Sequence, residues 1–145
     1  MCVEEREESE LQLRKGDLLI CEGGEPGRCA IWNEKAQEMY FQKALHRIRP
    51  CEAILTEYLA INLQIDCKND VLSNYFTGAT IKHLTGRSLS QYPIPIPPLA
   101  EQRRIVAKVD QLMAMVDQLE TQLTTSRRTA AKLMEAVVAE LTVQG

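Results

Sequence analysis

The apolar positions follow two different rules along this chain, and the change falls near residue 97. Up to there they come in short alternating or continuous runs broken by glycine and proline. Beyond it they recur in steps of four and three, with neither breaker until Gly145. The first rule predicts a small, mixed, strand-rich unit and the second a single long helix. The expected fold class is therefore α+β, with one domain over 1–97 and a helical region over 98–145.

Within the first region, Leu11 to Cys21 (LQLRKGDLLIC) starts with alternation, turns at Gly16-Asp17 and closes in an apolar run short enough for a buried strand. Gly23, Gly24, Pro26 and Gly27 make a turn, and Cys29 to Trp32 returns as the second strand of a hairpin. A polar loop over Asn33 to Glu38 follows. Tyr40 to Arg49 (YFQKALHRIR) alternates again and is ended by Pro50. Cys51 to Asp66 places Ile54, Leu55, Tyr58, Leu59 and Leu63 near a 3.6-residue period, which predicts a short helix packed on the sheet. Val71 to Phe76 fits a helical or extended segment, and Ile81 to Leu89 has no clear period. Tyr92 to Pro98 (YPIPIPP) cannot be helical, because each proline forces the residue before it into extended geometry, so it is a strap.

From Leu99 the residues are strong helix formers. Pro98 suits the first helical position, Glu101 suits the positive end of the helix dipole, and Gly145 suits the far end. No Ser, Thr, Asp or Asn cap is visible, so the strap has to fix the start. Ile105, Val109, Leu112, Val116, Leu119, Leu123, Ser126, Ala130, Leu133 and Val137 form a heptad seam whose one polar member is Ser126. Met113, Met115 and Met134 widen it as adaptable packing. A helix of this length extends roughly 65 Å at 1.5 Å per residue, too far for a small domain to cover. Its seam calls for a partner helix.

Composition changes this picture little. At 145 residues the chain holds about one domain, and no apolar run approaches the length needed to cross a bilayer, so a soluble, cytoplasmic protein is expected. Cys2, Cys21, Cys29, Cys51 and Cys67 are odd in number and widely spaced, with only His46 and His83 to assist them. Neither a metal site nor a disulfide framework is expected of them. The net charge of −3 excludes binding of nucleic acid by bulk charge alone, but five of the glutamates lie in residues 1–10, leaving the remainder near neutral at +1. Gly23 to Gly27 lacks the Gly-Lys-Ser/Thr of a phosphate loop, and neither histidine has a nucleophile at a recognisable spacing. No catalytic constellation is present.

Several segments together resemble the successive landmarks of specificity subunits of type I restriction–modification enzymes. These are Leu13 to Leu19 (LRKGDLL), the Gly-Gly-Glu-Pro-Gly turn, Phe41-Gln42 to Arg49-Pro50, Tyr58-Leu59, Thr77 to Ile81 (TGATI) and above all Ile94 to Val106 (IPIPPLAEQRRIV). The resemblance implies a non-catalytic protein that reads one half of a split site in double-stranded DNA. It implies a helix that spaces half-sites and docks methyltransferase (modification) subunits, with restriction/translocase subunits joining the complex. Cofactors are then none for this chain, since S-adenosylmethionine and ATP belong to partner subunits. The chain departs from the family in carrying one recognition domain, which also lacks an N-terminal portion. It is expected to be a half-subunit, a shortened reading frame or an expressed fragment, and a half-subunit restores two-domain geometry as a homodimer through the seam.

For DNA contact the candidates are Lys43, His46, Arg47 and Arg49 beside Tyr40 and Phe41, with Gln42 as a reader of adenine. Thr80, Lys82, His83 and Arg87 form a second cluster. The candidate helix interface is Ile105, Val109, Leu112, Val116, Leu119, Leu123, Ala130, Leu133 and Val137. Two other classes compete with this reading. One is a coiled-coil assembly module without its own DNA readout, and the other is an enzyme whose site is not recognisable.

Overall fold

The computed structural model describes residues 11–34 and 39–143, apart from the side chains of Val137 and residues 140–143. The acidic residues 1–10, most of the Asn33–Glu38 loop, the Val137 side chain and the end at Gly145 lie outside the described residues.

Three antiparallel strands form the sheet, in the order β2-β1-β3. They are β1 (Leu18–Cys21), β2 (Cys29–Ile31) and β3 (Leu45–Ile48). Alternation on β1 sends Leu18 and Ile20 into the core at 0% exposure, while Leu19 between them lies half-buried on the other face. The Gly23–Gly27 segment is the hairpin turn, closed by the Gly27 amide on the Cys21 carbonyl at 3.0 Å. Gly27 has φ +87°, and a Cβ there would collide with Leu72, so the turn demands glycine twice over.

Helix α1 (Thr56–Lys68) lies against the sheet, burying Tyr58, Leu59, Ala60 and Leu63. Together with Leu18, Ile20, Leu72 and Leu84 these residues make the core. The expected helix from Cys51 begins five residues late, and the cause is tertiary. Residues 51–54 close a turn through the Ile54 amide on the Cys51 carbonyl, and the Leu55 amide is taken by the Gln102 side chain at 2.9 Å, which holds Leu55 extended. The expected extended run from Tyr40 is likewise shorter. Tyr40 makes one bridge to Gln12, the chain turns through the Leu45 amide on the Gln42 carbonyl, and only Leu45–Ile48 is strand.

A 3-10 turn (Leu72–Tyr75) follows, then a one-turn helix α2 (Gly86–Leu89) whose start is capped by the Thr85 hydroxyl accepting from the Ser88 amide. The proline strap is free of helix, as the sequence predicts, and is fastened to α1. Tyr58 donates to the Pro95 carbonyl at 2.8 Å, Tyr92 donates to Asp66, and the Tyr92 and Tyr75 rings meet edge to face at 5.3 Å.

Helix α3 (Leu99–Val143) runs without interruption. Pro98 is its cap and not its first helical residue, because the Pro98 carbonyl accepts the Gln102 amide at 3.1 Å. The start is held by more than the strap. The Gln102 side chain is fully buried, donating to the Ala53 and Pro97 carbonyls at 3.0 and 2.9 Å while accepting from Leu55.

The chain divides into two compact units, residues 1–106 and 107–145. In the second, the seam residues Leu112, Val116, Leu119, Leu123 and Leu133 are all exposed, Leu119 by 61% and Leu133 by 62%. Thr121, Thr125 and Thr129 each donate to the carbonyl four residues back, which satisfies their hydroxyls within the helix. No helix among the described residues is long and apolar enough to cross a membrane.

Candidate nucleic-acid interface

The first basic cluster lies on β3, where alternation divides it between two faces. His46 stands opposite Ile20, on the core side, and its Nε2 lies 2.6 Å from the Leu84 carbonyl oxygen. A carbonyl can only accept, so Nε2 carries the proton in this contact. Glu22 lies 4.0 Å from the same nitrogen. Arg47 and Arg49 point to the opposite face, where both reach the Gln12 carbonyl. The Arg47 guanidinium also sits 5.4 Å over the Phe41 ring, and its Nε is shielded from water with no hydrogen-bond partner.

Arg49 makes a two-pronged ion pair within the unit. Its Nε and Nη2 donate to the two Asp17 carboxylate oxygens, both at 2.7 Å, and the Arg14 backbone amide donates to the same carboxylate at 2.7 Å. Burial alone would raise the Asp17 carboxyl. The Arg49 and Arg14 hydrogen bonds and the charges of Arg49 and Arg47 outweigh it, and Asp17 is held below the usual carboxylate range. Its hydrogen bond to Asp17 in turn raises Arg49. Sequence reasoning saw Asp17 only as a turn residue. Its partner is 32 positions away, and no local spacing announces that pairing.

Gln42 and Lys43 are exposed in the turn that leads into β3. In the second cluster, Thr77 and His83 close a loop by exchanging backbone hydrogen bonds of 2.8 and 2.9 Å. Thr80 and Lys82 are exposed within that loop, and Arg87 is exposed on α2. His83 is half-buried, its ring so near Gly23 that a Cβ there would sit 3.0 Å from Nδ1. The structure joins the two clusters through Leu84. Its amide donates to the Glu22 carbonyl at 2.8 Å, and its carbonyl accepts from His46. Five candidates therefore present polar groups outward (Gln42, Lys43, Thr80, Lys82, Arg87), while His46, Arg47, Arg49 and His83 also hold the unit together.

Cys29 offers little reactivity on this unit. Burial pushes the Cys29 thiol up to about 11, which leaves it protonated at neutral pH. Among the described residues no group of His, Cys, Asp and Glu is placed to hold a metal ion. What the exposed set can do is donate hydrogen bonds and charge to an anionic, base-bearing surface.

Comparison with known proteins gives the family. The family described as type I restriction modification DNA specificity domain matches residues 4–126. The EcoEI specificity subunit of Escherichia coli is 36% identical over 100 residues, covering 68% of this chain and 17% of that protein. The EcoKI specificity subunit of Escherichia coli strain K12 is 28% identical over 94% of this chain and 32% of its own length. A chain from a solved type I R-M system superposes with a TM-score of 0.61 at 29% identity, over 74% of this chain and 25% of its own. The chain thus spans between about a sixth and a third of the length of these proteins. With its sheet, strap and the first part of its long helix in the matched region, the chain belongs to the type I restriction modification DNA specificity domain family.

Proposed function

We propose that this chain reads one half of a split DNA site for a type I restriction–modification system and docks methyltransferase subunits through its long helix. The observation that carries this reading is the family match, which covers the sheet unit, the strap and the first part of the helix together. The relatives are named specificity subunits, and assembly with modification and restriction subunits follows from that role. In this reading the chain performs no chemistry, and S-adenosylmethionine and ATP are bound by the partners.

The exposed seam supports a further element. A run of leucines and valines in water over several heptads is stable only when covered, and a second copy supplies an identical, self-complementary seam. We infer a homodimer, which sets two recognition units against two half-sites. One specific feature favours the rival reading of a passive assembly module. Arg47 and Arg49, two of the basic candidates, are engaged within the unit.

Co-expression with the methyltransferase partner, followed by single-molecule sequencing of the host DNA, separates the two. A split, symmetric methylated motif supports the half-subunit reading. Stable co-purification without any methylated motif supports the assembly module and overturns DNA reading.

A further inference from the structure

Among the described residues of α3 only Gln102 is fully buried, and the three hydrogen bonds of its side chain all go to groups outside the helix. Ala53 and Leu55 stand just before α1, and Pro97 belongs to the strap. The next residue, Thr56, donates to the Gly16 carbonyl at 3.0 Å. A line of polar contacts therefore runs from the turn before β1, through the start of α1, to the first turn of α3.

The strap offers few other handles. Pro93, Pro95, Pro97 and Pro98 have no amide hydrogen, so side chains do the fastening: Tyr58 on the Pro95 carbonyl, Gln102 on the Pro97 carbonyl and Tyr92 on Asp66. The first compact unit ends at residue 106, so only the opening turns of α3 belong to it. Small errors in so short a base are amplified along the helix. The seam at Leu123 lies roughly 30 Å beyond Gln102 at 1.5 Å per residue. A tilt of roughly 10° at the base displaces it by about 5 Å, more than one base-pair step of ~3.4 Å.

We propose that Gln102 is a positioning residue for DNA recognition. It locks the first turn of α3 to the start of α1, and so holds the separation at which two copies of this chain read their half-sites. The proposal rests on the reading of the chain as one half of a dimeric DNA-recognition assembly. Its role is the same whatever bases are read, because Gln102 bonds only to backbone groups of its own chain.

The test uses the complex with the methyltransferase partner, on duplexes carrying the mapped half-sites at their natural separation or one base pair closer or farther. The unmodified complex is expected to favour the natural separation. Gln102→Leu should reduce that preference about tenfold, the upper end of one net hydrogen bond. Gln102→Glu still accepts from the Leu55 amide but, as an acceptor only, releases the Ala53 and Pro97 carbonyls, and should reduce it too. Tyr58→Phe keeps the buried ring and loses only the bond to Pro95, so it probes the same joint where the Gln102 variants fail to fold, and a reduced preference is expected. Leu63→Ala opens the core away from the joint and should lower stability while leaving the preference unchanged. An unchanged preference in every folded variant of Gln102 and Tyr58 overturns the proposal. So does an equal fall in Leu63→Ala, which would make the effect one of general stability, and so does an unmodified complex that binds all three separations equally. Absence of any split motif with the unmodified chain overturns instead the DNA reading itself, a result distinguishable from these.

Discussion

Arg49 grips Asp17 with two parallel hydrogen bonds of 2.7 Å, joining the last residue before Pro50 to the residue just before β1. Asp17 is almost fully buried, whereas 35% of the Arg49 side chain remains open to water. This pair ties the segment after β3 to the start of β1 and leaves only part of the guanidinium for any external anion. Its removal should expose its structural share.

Arg49→Ala leaves the Asp17 carboxylate buried without its main partner. The expected loss of stability is about 2 kcal/mol, below the ~3–5 kcal/mol of a fully buried pair because water screens Arg49. Urea denaturation followed by circular dichroism measures it. A midpoint equal to that of the unmodified chain would show that the pair contributes nothing to the fold.

The same carboxylate makes stability depend on pH in a definite direction. Its native pKa lies below the ordinary value of about 3.9, so the unfolded chain binds the proton more readily. The contribution is present above roughly pH 4 and is lost as the pH falls through the lowered native value. Urea midpoints taken from pH 6 down to about pH 3 should decline more steeply for the unmodified chain than for Asp17→Asn. Parallel curves would assign the acid sensitivity to other groups.

Gln102 spends its whole side chain on three backbone groups, the Leu55 amide and the Ala53 and Pro97 carbonyls. Gln102→Leu keeps the volume but leaves these groups unsatisfied and apolar-facing. A loss of about 3 kcal/mol is expected, at ~1–3 kcal/mol for each buried group less whatever water recovers. Native-state hydrogen exchange gives a sharper readout, since the Leu55 amide should lose protection before the core strands do.

Salt dependence distinguishes the exposed cations from those bound within the unit. For the complex on its mapped site, Lys43→Ala, Lys82→Ala and Arg87→Ala should each flatten the slope of log K against log salt by about 0.9, the value of one phosphate contact. His46→Ala, whose ring is tied to Leu84, should change stability and leave that slope intact. Equal slopes for all the variants would remove the phosphate role of these three residues.

The helix seam makes a separate prediction. Sedimentation at tens of micromolar should give a dimer for the unmodified chain, and Leu119→Asp with Leu123→Asp should give a monomer, because a carboxylate inside a coiled-coil seam is buried without a partner. A monomeric unmodified chain would exclude the homodimer while leaving the recognition unit untouched.

The sequence by itself determined the elements whose causes are local. The apolar run of Leu18 to Cys21, the glycine turn after it, the prolines between Tyr92 and Pro98 and the unbroken run from Leu99 each act on neighbouring residues, through pleat, φ restriction and helix propensity. Those elements stand where the pattern puts them. Only the tertiary structure decided where α1 begins and which basic residues are held inward. Each of these depends on a bond between residues far apart in the chain: Gln102 to Leu55, Arg49 to Asp17, His46 to Leu84. Periodicity reports which face a side chain takes but is silent on the distant group waiting there, and a buried polar group is satisfied by whichever partner the fold brings to it.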